Sequence, residues 1–83
     1  MATKLFKSEY HAGGEIRVTT NNKKGSVVIL NCDNEYEYDI NNPYAKRKID
    51  NLLFELTSTY YAGEILKWIE SKIDFKPTDE WFI

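Results

Sequence analysis

One histidine, one cysteine, thirteen carboxylates and eleven Lys or Arg side chains make up the chemistry available to this 83-residue chain. A nucleophile pair would have to be Cys32 with His11. Yet Cys32 ends the apolar run "SVVILNC", where a small buried thiol is common, and His11 stands beside Ala12, Gly13 and Gly14 in a stretch that reads as a solvated turn. There is no phosphate-binding glycine loop, no nucleophile elbow and no paired-histidine metal motif. The expectation is a protein that is not an enzyme and that uses no cofactor.

The carboxylates offer more. In "DNEYEYDI", Glu35, Glu37 and Asp39 alternate with Tyr36, Tyr38 and Ile40. On a strand, alternate side chains share a face at steps of about 6.6 Å, so the acids form a straight row and the aromatics turn to the opposite side. No second acidic motif is placed to converge with the row on a divalent ion, so metal binding is not expected. Two readings of the row remain open. Acids on the wet side of an edge strand discourage edge-to-edge aggregation, whereas a line of negative charges also imitates a strand of phosphates and suits a basic partner surface. Glu9 and Glu15 extend the row if the first strands lie alongside.

Basic residues supply a competing set. Lys46, Arg47 and Lys48 open a predicted helix and Lys23-Lys24 occupy a predicted hairpin tip, so these five could meet the phosphates of a nucleic acid. Against that, positive charge at a helix N-terminus opposes the helix dipole, and the formal net charge of −2 gives no global field to gather polyanions or anionic membrane. These basic residues also read as an ordinary solvated face.

Elements must hold these residues in place. "KLFKSEY" (4–10) is a candidate first strand, "EIRVTT" alternates as a second, and "NNKKG" is a hairpin loop with Gly25 free to take a positive φ. "SVVILNC" is apolar at nearly every position and predicts a central strand covered on both faces. Asp33-Asn34 supplies a turn before the acidic strand. Asn42 then caps a helix beginning at Pro43. Its apolar stripe is Ala45, Ile49, Leu52, Leu53 and Leu56; a second stripe is Ala62, Ile65, Leu66, Ile69 and Ile73. At about 100° per residue the two stripes are out of phase, and "TSTYY" between them is poor helix material, so the spacing predicts two helices with a break near Ser58.

The expected fold is therefore α+β: an antiparallel meander of three or four strands followed by two helices packed on one face of the sheet. It forms a single domain over 1–83, with the sheet over about 4–40, helices over about 43–57 and 59–73, and a tail over 74–83. In the tail, Trp81, Phe82 and Ile83 either fold back on the core or anchor a partner. A lone cysteine, no apolar run at the N-terminus and no stretch of about 18 apolar residues lead to the expectation of a soluble, cytoplasmic protein.

The run "VVILNCDNEYEYDINNPYAKRKIDNLLFEL", an acidic hairpin passing into a helix within a short chain rich in Asn, Lys, Tyr and Ile, resembles the small acidic anti-defence inhibitors of bacteriophages, the anti-CRISPR proteins. The likeness is one of style and spans about residues 15–57. It implies a stoichiometric inhibitor that covers the nucleic-acid-reading surface of an RNA-guided nuclease in the host cytoplasm. The "AKRK" segment departs from the most acidic members, so a mixed surface with one acidic face is expected rather than a full nucleic-acid mimic. A homo-oligomer built through an uncovered sheet face or the "WFI" tail is a further expectation.

Overall fold

A computed structural model describes residues 1–7 and 14–75. Four strands, β1 (Ala2–Lys7), β2 (Glu15–Asn21), β3 (Ser26–Asn31) and β4 (Asn34–Asp39), precede two helices, α1 (Ala45–Leu56) and α2 (Thr59–Lys72). The strands form one antiparallel sheet in the order β1-β2-β3-β4, the expected meander in its four-stranded form. Each strand pairs with its neighbours in sequence, so the sheet assembles through local hairpins.

Register decides which side chains share a face. Ile16, Val18 and Thr20 of β2 stand opposite Asn31, Ile29 and Val27 of β3, and Ile29 and Val27 stand opposite Tyr36 and Tyr38 of β4. This inner face receives both helices. Ile16, Val18, Val27 and Ile29 are wholly buried, as are Ile49 and Leu53 of α1 and Ala62, Ile65 and Ile69 of α2. Burying each of the larger aliphatic side chains contributes about 1.5–3 kcal/mol before conformational entropy is set against it. Phe6 of β1 meets Trp68 of α2 edge to face, with ring centroids 6.0 Å apart, which seats α2 toward the β1 side of the sheet.

The helix break falls where the phase of the stripes places it. Thr57 is extended (φ −155°), its N–H closing the last turn of α1 on the Leu53 carbonyl at 3.0 Å. Ser58 then caps α2, its hydroxyl accepting from the Tyr61 N–H at 3.5 Å. The start of α1 differs from expectation. Pro43 lies in a turn and Tyr44 is the N-cap, with no side-chain capping bond. The Asn42 side chain instead accepts from the Tyr44 N–H at 2.9 Å, and its carbonyl accepts from Ala45 at 3.0 Å. Asn42 thus closes the turn that feeds the helix, because a short polar side chain bonds its own backbone two residues on as readily as it caps.

Four further expectations are corrected. The first strand is Ala2–Lys7, starting two residues earlier than 4–10; Ser8, Glu9 and Tyr10 lie outside the described residues. Among the described residues β3 is covered on one face only: Val28 and Leu30 point away from the helices and are half-buried. An apolar run marks a strand without telling how many layers lie over it. Cys32 is not part of β3 but stands exposed in the tight turn between β3 and β4, at φ 56°. Asn31 pairs with Asn34, so the two turn residues are Cys32 and Asp33 rather than Asp33 and Asn34.

Gly25 does what its freedom allowed. At φ 73° it ends the β2–β3 loop, its N–H donating to the Asn21 carbonyl at 2.7 Å while its carbonyl accepts from Ile40 at 2.9 Å. One residue therefore ties the hairpin to the exit of β4. A Cβ there would lie 3.3 Å from Asn41 Nδ2 in a backbone conformation that side chains disfavour.

Cys32 occupies the left-handed region without that freedom, at a typical cost of about 1–2 kcal/mol, partly offset by the entropy a glycine would lose. Cys32→Gly is expected to raise stability by about 0.5–1 kcal/mol. The check is the urea midpoint at unchanged slope; an unchanged or lower midpoint would show that the turn carries no strain.

Candidate protein-binding face

The period of two that buries Tyr36 and Tyr38 against the core sends Glu35, Glu37 and Asp39 to the other side of β4, where all three are exposed. β4 is an edge strand, and no described element covers the outer face of the sheet. The structure therefore places the acidic row where the sequence put it, along one margin of an open face.

Reading across that face, the register aligns Leu5, Arg17, Leu30 and Glu35 in one row and Thr3, Thr19, Val28 and Glu37 in the next. The Thr3 and Thr19 hydroxyls lie 3.0 Å apart in a cross-strand hydrogen bond. Leu5 of β1 is 50% exposed, while Val28 and Leu30 of β3 are half-buried beside the acids, with Arg17 and Thr19 of β2 between β1 and β3. A shallow concavity of ≈ 350 Å³ opens among Leu5, Gly14, Glu15, Arg17, Leu30 and Cys32. A second, of ≈ 300 Å³, lies by Lys24, Gly25, Glu37, Tyr38 and Asp39.

Glu15 shares the outer face but does not lengthen the row. It stands on β2, opposite Lys7 of β1, with β3 between it and β4. Glu9, His11 and the tail residues Trp81, Phe82 and Ile83 lie outside the described residues. Arg17, Leu5, Val28 and Leu30 were not singled out from the sequence as site residues. The alternation of Glu15, Arg17 and Thr19 is the signal that could have found the first of them, because whatever alternates with the buried Ile16 and Val18 must share the acids' face.

Lys24 approaches one member of the row, its Nζ 3.4 Å from a Glu37 carboxylate oxygen, with the side chains 68% and 52% exposed. So open a pair contributes about 0–1 kcal/mol and is readily exchanged for another partner. Asp39 accepts from the Asn41 N–H at 2.9 Å, which fixes its carboxylate toward the turn. Among the described residues Glu35 forms no salt bridge.

The basic set is gathered at one end of the molecule. Asn22 of the hairpin loop donates to the Lys72 carbonyl at the end of α2 at 2.6 Å, and Lys46 at the start of α1 reaches Glu70 of α2 at 3.6 Å. Lys23, Lys24, Lys46, Arg47 and Lys48 thus come from two distant segments to a common end, interleaved with Glu37 and Glu70. No group of three or more His, Cys, Asp or Glu side chains among the described residues is disposed to hold a metal ion. No helix among them is long and apolar enough to cross a membrane.

Burial pushes the Tyr38 phenol above its ordinary value of 10.0, and the neighbouring Tyr36 and Glu55 push the same way. A raised folded-state value means that the neutral phenol is favoured on folding, so its contribution to stability is intact below pH 10 and is lost as pH rises through the folded-state value. Alkaline absorbance titration of the wild type is expected to show a late phenolate component that Tyr38→Phe removes, and the variant should lose less stability on the alkaline side. A titration unchanged by Tyr38→Phe would refute the assignment.

Comparison of the chain with protein-family models, with curated proteins and with solved structures finds no match.

Proposed function

We propose that the chain is a non-enzymatic protein-binding module whose open sheet face, led by Glu35, Glu37 and Asp39, docks on a basic, nucleic-acid-binding surface of its target. The observation that carries this reading is the placement of three exposed acids in one straight row at the margin of a face no described element covers. Glu15 adds negative charge on the same face at a separate position, and Glu9 lies outside the described residues. Val28 and Leu30 on β3 beside the acids, with Leu5 farther across the same face, add apolar area of the kind a protein partner desolvates and a phosphate backbone does not.

The resemblance of residues 15–57 to phage anti-defence inhibitors extends the proposal to the class of target: an RNA-guided nuclease of the host cytoplasm, held stoichiometrically and away from its DNA. Charge complementarity of this type speeds association and makes it sensitive to salt. The second reading, nucleic-acid binding through Lys23, Lys24, Lys46, Arg47 and Lys48, draws support from their gathering at one end. It weighs less because Glu37 and Glu70 stand among those cations and compete with phosphate for Lys24 and Lys46.

The deciding measurement is binding of the purified chain to purified guide-RNA-loaded effector nucleases at low and high salt, beside a titration with labelled single- and double-stranded DNA and RNA. The wild type is expected to bind an effector, to weaken as salt rises, and to lose at least about tenfold in affinity when Glu35, Glu37 and Asp39 are all replaced by Lys. Unchanged binding by that triple variant defeats the site assignment. Binding to nucleic acid but to no effector transfers the case to the second reading.

A further inference from the structure

The outer sheet face is electrically divided. Its β4 margin carries Glu35, Glu37 and Asp39, while the β1–β2 side carries Lys7 and Arg17 together with Glu15. Between them β3 carries the half-buried Val28 and Leu30. Arg17 is flanked across the strands by Leu5 and Leu30, and Leu30 separates it from Glu35 in the same row. At about 4.8 Å per strand, Arg17 and Glu35 stand roughly 10 Å apart along the sheet. Among the described residues neither forms a salt bridge.

We infer that this face is self-complementary and that its occupant is a second copy of the chain. Two sheets packed face to face lie about 10 Å apart with their strands within about 30° of alignment. Two two-fold axes in the plane between them are available. An axis running across the strands lays β4 over β4 and sets the acidic rows against each other, which like-charge repulsion opposes. An axis running along the strands lays β4 of one copy over β1 of the other. It brings Glu35 toward the second copy's Arg17 and Lys7, and it does so twice because the interface is isologous. The same rotation sets Val28 and Leu30 of both copies, on the inner strand β3, into the enclosed centre, and lays Leu5 of β1 over the second copy's β4 margin.

The face is small. Four strands at about 4.8 Å and six residues at about 3.3 Å give a footprint of about 20 Å by 20 Å, below the usual size of a stable interface. Association is therefore weak and concentration-dependent, the regime of transient contacts. The inference does not rest on the proposed function. It bears on it, however, because the dimer covers the acids that a basic partner would need and so holds the face closed until that partner competes.

Sedimentation equilibrium of the purified chain over about 10 μM to 1 mM tests the inference without any partner. The apparent mass is expected to climb from 9.7 kDa toward twice that value. Arg17→Glu and Glu35→Arg each place like charges at both symmetric contacts, so each variant alone should shift the midpoint to at least about tenfold higher concentration. An equimolar mixture of the two variants regains both attractive contacts and should associate as well as the wild type. Recovery on mixing also requires that both variants are folded, which their exposed positions favour. A wild type that stays monomeric throughout, variants that dimerise like the wild type, or a mixture no better than its components would each overturn the inference. None of these results touches binding to a basic partner, which the triple variant tests separately.

Discussion

The packing of one sheet face against two helices is the constraint on which the rest of this protein depends. Ile16, Val18, Val27 and Ile29 meet Ile49, Leu53, Ile65 and Ile69 in a single core, and every other side chain of the sheet is placed by its parity with respect to those four. Because the side-chain period of a strand is two, the register that buries Tyr36 and Tyr38 forces Glu35, Glu37 and Asp39 outward. A slip of one residue in β4 would drive three carboxylates into the core and two phenols into water. The acidic row and the hydrophobic core are therefore one specification.

The same constraint leaves the outer face without cover from any described element. Both helices follow the whole sheet in sequence and pack on its inner side, so no described element remains to cover Leu5, Val28 and Leu30. Antiparallel sheets tolerate one wet face, and most outward positions here carry polar or charged residues. Val28 and Leu30 on β3, and Leu5 on β1, are the exceptions.

The β2–β3 loop and the β4 exit form a second organising point. Gly25, in the left-handed region, lets the loop close on Asn21 and also hold Ile40, while Asn22 reaches the end of α2. This end of the molecule is where chain reversal, helix start and helix end meet. It is also where Lys23, Lys24 and Lys46 collect beside Glu37 and Glu70, so charges that look like separate basic clusters along the chain are interleaved with acids once folded. The exposure of these pairs keeps each of them weak and exchangeable.

The amino-acid sequence alone determined the class of fold and the composition of the acidic row. Alternation in "EIRVTT" and "EYEYDI", the apolar stripe from Ala45 to Leu56 and its change of phase after "TSTYY" are local signals, and local geometry is what periodicity reports. It could not decide whether "SVVILNC" was covered on one face or two, because that depends on where the helices land. Nor could it find that Cys32 belongs to a turn, since the hairpin register, and not the apolar run, sets where β3 stops. The partnership of Arg17 with the acids' face is likewise tertiary: residues 17 and 35 share a row only because β1 through β4 pair in one order and one register. The sequence named the charges, and the packing of one sheet face chose which of them look out together.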